Sequence, residues 1–393
     1  MVTRTATITD SVGTLVSQGG PRSDLRSPLA VNSLRHYYRL RRELGPQDPD
    51  RKSLHRHIVA SSVLWSPLRI LERLFVDPRV DKVNIEHPPI FILGHWRTGT
   101  THLHNLMSLD PNLAHVTTFQ TLAPECCVTG RYTLRPIMAL NMPATRPMDN
   151  VALGIDLPQE DEFSLCNVTL CSMYNGFYFP RSLDRLFDRY VLFDGISTTE
   201  IDEWRTVYTR VLKKATYLAR GKRLVLKNPV NTARIPQLLG LFPGAKFIFI
   251  HRNPYEIFHS TNKLFRSVID QVGMQDIPAE TIRAHVLRFF REMMTRYIET
   301  APQAPRGDLV EVAYTDLITD PVREVTRIYR ELGLSGIEAT LPLVKEYASK
   351  QQSYEPNRFT LAPDDADLIE REWGFAIEHW GYTRPGAEII SQT

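Results

Sequence analysis

Long apolar runs are what this chain lacks most. No stretch approaches the ~20 consecutive apolar residues that cross a bilayer, and segment 1–32, rich in Ser, Thr, Gly and Arg, has no apolar core of the kind a signal peptide needs. A soluble, cytoplasmic protein without a transmembrane segment is the expectation. Cysteine is scarce too: Cys126, Cys127, Cys166 and Cys171 are four in 393 residues, with one adjacent pair and no C-x-x-C. That pattern argues against a secreted disulfide framework or a thiolate zinc site and favours buried free thiols. Charge of neither sign is in excess, since 47 Lys and Arg against 44 Asp and Glu leave a formal +3. So small a balance falls short of the concentrated basic stripe of a nucleic-acid binder, and no nucleic-acid partner is expected. His55 and His57, like His102 and His104, are two residues apart and fall on different faces of a helix. No metal ligand is assigned.

What is present begins with a disordered terminus, expected over 1–32, and a helical extension over 33–88. Leu34, Tyr38, Leu40 and Leu44 mark its first helix; Val63, Leu64, Leu68, Leu71, Leu74 and Phe75 mark its second, with a break near Trp65 ahead of Pro67. Arg35, Arg39, Arg41 and Arg42 stud the first helix. They form either a basic surface making weak peripheral contact with a membrane or carrier protein, or a solvated face of a helix packed on the main domain.

The densest signal is Pro88–Ser108, PPIFILGHWRTGTTHLHNLMS. Ile90 to Leu93 form the short continuous apolar run of a strand buried on both faces. Gly94 and Gly99 then space a turn that opens a helix at Thr100 and Thr101, a P-loop-like anion cradle of backbone N–H groups and a helix N-terminus. The lysine expected before the last hydroxyl residue of a nucleoside-triphosphate loop is replaced by Thr100, and a cation, Arg97, sits inside the loop instead.

Two more apolar runs end in cations. Leu224–Leu226 leads to Lys227, and Phe247–Ile250 leads to His251 and Arg252. Strands alternating with helices imply an α/β fold, a P-loop-type parallel sheet flanked by helices with right-handed crossovers. Ligands of such sheets sit beyond the carboxyl ends of the strands, so Arg97, Lys227 and Arg252 should gather on one rim. A triphosphate-hydrolysing enzyme wants an aspartate on a neighbouring strand for magnesium. Here the strands end in cations. Glu160, Asp161 and Glu162 precede a further apolar run, either as the acidic first turn of a helix or with one of them as a general base beside the cationic pocket.

With these residues in view the chain resembles the sulfotransferases that use 3'-phosphoadenosine 5'-phosphosulfate (PAPS), especially their bacterial-type branch. The 5'-phosphosulfate loop of that family is matched by His95 to Thr101, with Arg97 where cytosolic members carry lysine. Its 3'-phosphate motif is matched by Arg252-Asn253-Pro254 through Ser260. The resemblance runs from about Pro89 to Tyr382 and implies a sulfotransferase domain over 89–393. It implies that Arg97 and the backbone around Thr98, Gly99, Thr100 and Thr101 hold the phosphosulfate, that Arg252 and Ser260 hold the 3'-phosphate, and that Lys227 faces the sulfuryl group. Tyr314, in a Tyr-x-Asp-Leu segment, becomes a candidate nucleotide contact, and Arg358 a residue closing over the nucleotide.

The implied reaction is in-line sulfuryl transfer to a hydroxyl of a small-molecule or lipid-like acceptor, with PAPS as co-substrate and no metal. The base is where the chain departs from its relatives: positions two and four past Lys227, where relatives carry histidine, hold Pro229 and Asn231. A carboxylate from Glu160, Asp161 or Glu162 is the first choice, with His95 and Glu125 behind. The competing readings are a P-loop kinase-like phosphotransferase and a non-catalytic nucleotide-binding protein. The aromatic stretch Met173–Pro180 either lines an acceptor pocket or belongs to the core.

Overall fold

The computed structural model describes residues 27–143, 153–351, 357–386 and 388–391, with the backbone alone at 351, 357–360 and 388–391. Five strands make one parallel sheet: β1 (Ile90–Leu93), β2 (Leu113–Ala114), β3 (Arg223–Lys227), β4 (Lys246–His251) and β5 (Leu309–Ala313), in the order β2-β3-β1-β4-β5. β6 (Asn357–Thr360) and β7 (Glu388–Ser391) form a separate antiparallel ribbon.

Both faces of the sheet are covered, which is why the strands read as unbroken apolar runs rather than as alternations. Phe91, Leu93, Leu224, Leu226, Phe247 and Phe249 point into one hydrophobic core. Their neighbours Ile90, Ile92, Val225, Ile248, Ile250, Val310 and Val312 point into a second core on the opposite face. The first is packed by the long helices Thr198–Leu218, Pro254–Val272, Ala279–Thr300 and Pro363–His379. The second is packed by Thr100–Met107 and by Pro321–Glu331, whose Asp320 cap accepts a bond from the Arg323 N–H at 2.9 Å.

The N-terminal region differs from expectation. Pro28–Val31 is a 3-10 helix capped by Ser27, with Leu29 wholly buried, so order begins ahead of residue 33. Within 33–88 the helices pack on the main domain, as one of the two readings of the basic helix has it: Tyr37, Leu40, Leu44, Leu54 and Ile58 belong to the same core as Phe91. The basic helix Leu34–Leu44 is docked, with Arg39 bonded to Glu203 at 2.8 Å and Arg41 lying over the Tyr37 and Tyr38 rings. The break at Trp65 is present, between helices Lys52–Leu64 and Ser66–Leu71. All four cysteines are buried and unpaired with one another.

Candidate active site

Four neighbouring strands deliver their chemistry to one edge. β1 leads into the glycine turn, β3 ends at Lys227, β4 leads to Arg252 and β5 to Tyr314; Ile92 is registered against Lys227 on one side and Ile248 on the other. The turn itself is tightly constrained. Gly94 has φ +142°, and a Cβ there would lie 2.4 Å from the Ile250 carbonyl oxygen; Gly99 has φ +95°, and its Cβ would lie 2.3 Å from the Tyr314 ring. No larger residue fits either position, which is the physical content of the glycine spacing. Arg97, at φ +72°, adopts the left-handed backbone without glycine's freedom. The loop is tied to the β3 side by Gly94 N–H donating to Thr232 Oγ1 at 2.8 Å.

Arg97, Ser260, Arg252 and Tyr314 form one connected group. Arg97 Nε donates to Ser260 Oγ at 2.6 Å, Arg252 Nη1 reaches the Arg97 carbonyl at 3.4 Å, and the Arg252 guanidinium lies 4.2 Å from the centre of the Tyr314 ring. Arg252 also pairs with Glu256 at 2.6 Å, a carboxylate the motif did not disclose although it stands one helical turn away. Thr98 closes the turn: its N–H and hydroxyl both donate to the His95 carbonyl, at 3.3 and 2.8 Å. The first turn of the helix Thr100–Met107 holds Thr100 and Thr101 behind the Gly99 cap, and the N–H groups of such a turn lack intrahelical partners. Arg358 lies in β6, and its side chain falls outside the described residues.

The three adjacent carboxylates divide, Glu160 turning to Lys227 while Asp161 and Glu162 share the Asn228 amide. Glu160 meets the Lys227 amine through one oxygen and accepts the Tyr174 hydroxyl on the other, while Tyr174 accepts the Trp96 indole N–H at 3.0 Å. The phosphate loop, Lys227 and Glu160 are thereby joined by a single run of polar contacts. Glu162 faces away, wholly buried against Arg234 at 2.7 Å and bonded by Ser172 and Asn228 at 2.7 and 2.8 Å. Asp161 is also fully buried, accepting from Tyr208 at 2.7 Å and Asn228 at 3.2 Å.

Asp161 and Glu162 are therefore set aside as bases. Burial pushes the Asp161 carboxyl up to about 7, a proton affinity suited to a base, but the group has no face toward an acceptor. His95 fails for the same reason, buried against Phe290 and held by desolvation down to about 3. Glu125 accepts the Ser33 N–H at 2.8 Å beneath the N-terminal helices, where burial raises its pKa.

Two stability effects follow. Arg234→Met leaves Glu162 as an uncompensated buried charge, so unfolding free energy in a urea titration should fall by about 3–5 kcal/mol. Asp161 binds its proton more tightly folded than unfolded, so its contribution is greatest below pH 4 and is lost as pH rises towards 7. Asp161→Asn should flatten that decline, its melting temperature gaining on the parent's between about pH 4 and 7; an unchanged difference would show that the carboxyl titrates normally.

Sequence reasoning missed Trp96, Tyr174, Thr232, Glu256 and Arg234. Arg234 and Thr232 follow Lys227 within one turn region and carried a weak local signal, whereas Tyr174 was visible only as part of an aromatic run.

Comparison with known proteins agrees with the geometry. Residues 88–338 match the sulfotransferase family. The omega-hydroxy-beta-dihydromenaquinone-9 sulfotransferase Stf3 of Mycobacterium bovis is 32% identical over 323 residues, 82% of each chain, and its Mycobacterium tuberculosis counterpart matches equally. The crystal structure of sulfotransferase STF9 from Mycobacterium avium superposes with a TM-score of 0.66 at 17% identity, covering 90% of this chain and 97% of that one. That of STF1 from Mycobacterium tuberculosis gives 0.52 at 19% identity over 82% and 88%.

Proposed function

Because this chain belongs to the sulfotransferase family, we propose that it moves the sulfuryl group of PAPS to a hydroxyl of a lipid-like acceptor, with Glu160 as base and Lys227 as the cation at the transferred group. The observation that carries the reading is the contact of Lys227 with Glu160 at the edge where Arg97, Arg252 and Ser260 converge. An anion with phosphates at both ends of a ribose would meet two arginines there, beside a turn so closely packed on Ile250 and Tyr314 that only glycine fits at 94 and 99.

The chemistry asks little of the protein beyond placement and charge. The acceptor oxygen forms a bond to sulfur as the bond from sulfur to the 5'-phosphate oxygen breaks. The hydroxyl proton passes to Glu160, and the charge left on the departing phosphate is met by Lys227, Arg97 and the helix N-terminus. Tyr174 holds Glu160 in line by donating its hydroxyl to the carboxylate, and Trp96 in turn donates its indole N–H to Tyr174. The lipid-like acceptor class is inferred from Stf3, which by its name acts on a hydroxylated menaquinone.

Calorimetric titration with 3',5'-ADP tests the donor half without the acceptor. Binding that is lost in Arg252→Ala supports the assignment, and failure to bind at millimolar nucleotide would sink it. Labelled-sulfate transfer to long-chain prenyl alcohols, compared with simple phenols, tests the acceptor half.

A further inference from the structure

The helices that carry the chain from Lys52 to Val80 expose an apolar stripe that is left uncovered among the described residues. Along this run, continued by a π-helical turn at Glu72–Val76, Leu68, Glu72, Val76 and Val80 point inward. The other side carries Leu64, Ile70, Leu71, Leu74 and Phe75, with Leu74 and Phe75 61% and 60% exposed. Soluble helices place such residues at this spacing toward a core; here the stripe faces out. The neighbouring helix Leu134–Leu140 continues it with Ile137, Leu140 at 87% exposure, and Tyr132 at 82% just ahead of the helix. The turn that leads into this helix is fastened to the first run, since Glu72 accepts the Val128 and Thr129 N–H groups at 3.2 and 2.7 Å and the Thr129 hydroxyl donates to the Leu68 carbonyl at 2.9 Å.

Cations rim this face. Arg73, Arg79 and Arg131 are exposed and have no carboxylate partner among the described residues. The acids nearby are already engaged: Glu72 by Lys214, Asp77 and Asp81 by Arg210, Asp156 by Arg135. A cavity of about 620 Å³ lies alongside, and Val63, Ile70 and Arg73 belong to both its wall and the exposed face.

We propose that this face docks on an anionic phospholipid bilayer, with Leu74, Phe75 and Leu140 inserted among the acyl chains and Arg73, Arg79 and Arg131 at the phosphate level. An apolar strip bordered by unneutralised arginines matches the layering of a lipid surface. A second copy of the chain would bring the same arginines against one another. The inference stands apart from the proposed reaction, because the contact does not depend on which group is transferred.

The full chain is floated with vesicles of equimolar phosphatidylcholine and phosphatidylglycerol, and with phosphatidylcholine alone. Binding to the anionic vesicles, weakened by high salt and by about fivefold for each arginine removed in Arg73→Gln and Arg131→Gln, is the expected result. The double variant Leu74→Glu/Phe75→Glu should lose at least about tenfold in partitioning while its 3',5'-ADP affinity and melting temperature match the parent's. If that variant does not fold, Leu140→Glu on the neighbouring helix carries the same test. Absence of binding to anionic vesicles, or binding unchanged by these substitutions, overturns the proposal. So does light scattering that shows a dimer which Leu74→Glu/Phe75→Glu converts to a monomer.

Discussion

Lys227→Ala is expected to lower sulfuryl-transfer turnover by about 100- to 1000-fold, the usual consequence of deleting one preorganised donor aimed at developing charge. The size of the effect comes from where the amine is held. Lys227 is the last residue of a central strand, registered against Ile92 in the strand that feeds the phosphate loop, and its side chain is almost wholly buried. Buried placement beside Glu160 keeps water from screening it, so in the proposed reaction its charge weighs more on the transferred group than it would in water. Affinity for 3',5'-ADP should change far less than turnover, because that product lacks the sulfuryl group the amine is proposed to face. A variant that lost nucleotide affinity and turnover in equal measure would make Lys227 a general anchor of the nucleotide. Alanine also leaves Glu160 beside a vacated site, so the melting temperature of Lys227→Ala and of Lys227→Ala/Glu160→Gln should be compared; recovery of stability but not of turnover in the double variant separates folding from chemistry.

Glu160→Gln is the second large effect, about 100- to 10,000-fold in turnover if the carboxylate takes the acceptor proton. Glutamine keeps the volume and can still meet Lys227 and Tyr174, but it has no basic oxygen of comparable strength. The Michaelis constant for the donor should hold. Glu162→Gln makes the informative contrast: the same change two residues along should reduce stability through the Arg234 pair and leave the turnover of the folded fraction near the parent's. Equal turnover for Glu160→Gln and the parent would remove Glu160 as base, and the acceptor proton would then need another destination.

The rim of the sheet was readable in the sequence because its determinants are local. An apolar run that ends in a cation says both that a strand is buried and where its end lies, and the glycine positions were dictated by contacts with Ile250 and Tyr314 that admit no side chain. The division of labour among Glu160, Asp161 and Glu162 was not readable. The three share composition and neighbourhood, and what distinguishes them is the rotation of one short helix, Glu162–Cys166, against Arg234 and Tyr208. Partners so far along the chain leave no local pattern. The same holds for the N-terminal region, where the apolar residues mark the helices but not the direction in which each one faces. Leu40 and Leu44 turned inward as expected of a docked helix, while Leu64, Leu71, Leu74 and Phe75 turned outward.

The parallel sheet has a kinetic consequence during synthesis. Its central strand, β1, finds hydrogen-bonding partners only at Val225 and its neighbours on one side and at Lys246 to Phe249 on the other. A ribosome must therefore translate well over half the chain before Ile90 to Leu93 acquire their first ladder, and until then an apolar segment waits with both edges unsatisfied. Such late, non-local closure slows folding and exposes the nascent chain to aggregation. Soluble yield should thus depend more on growth temperature and chaperone supply than on the stability of the finished protein.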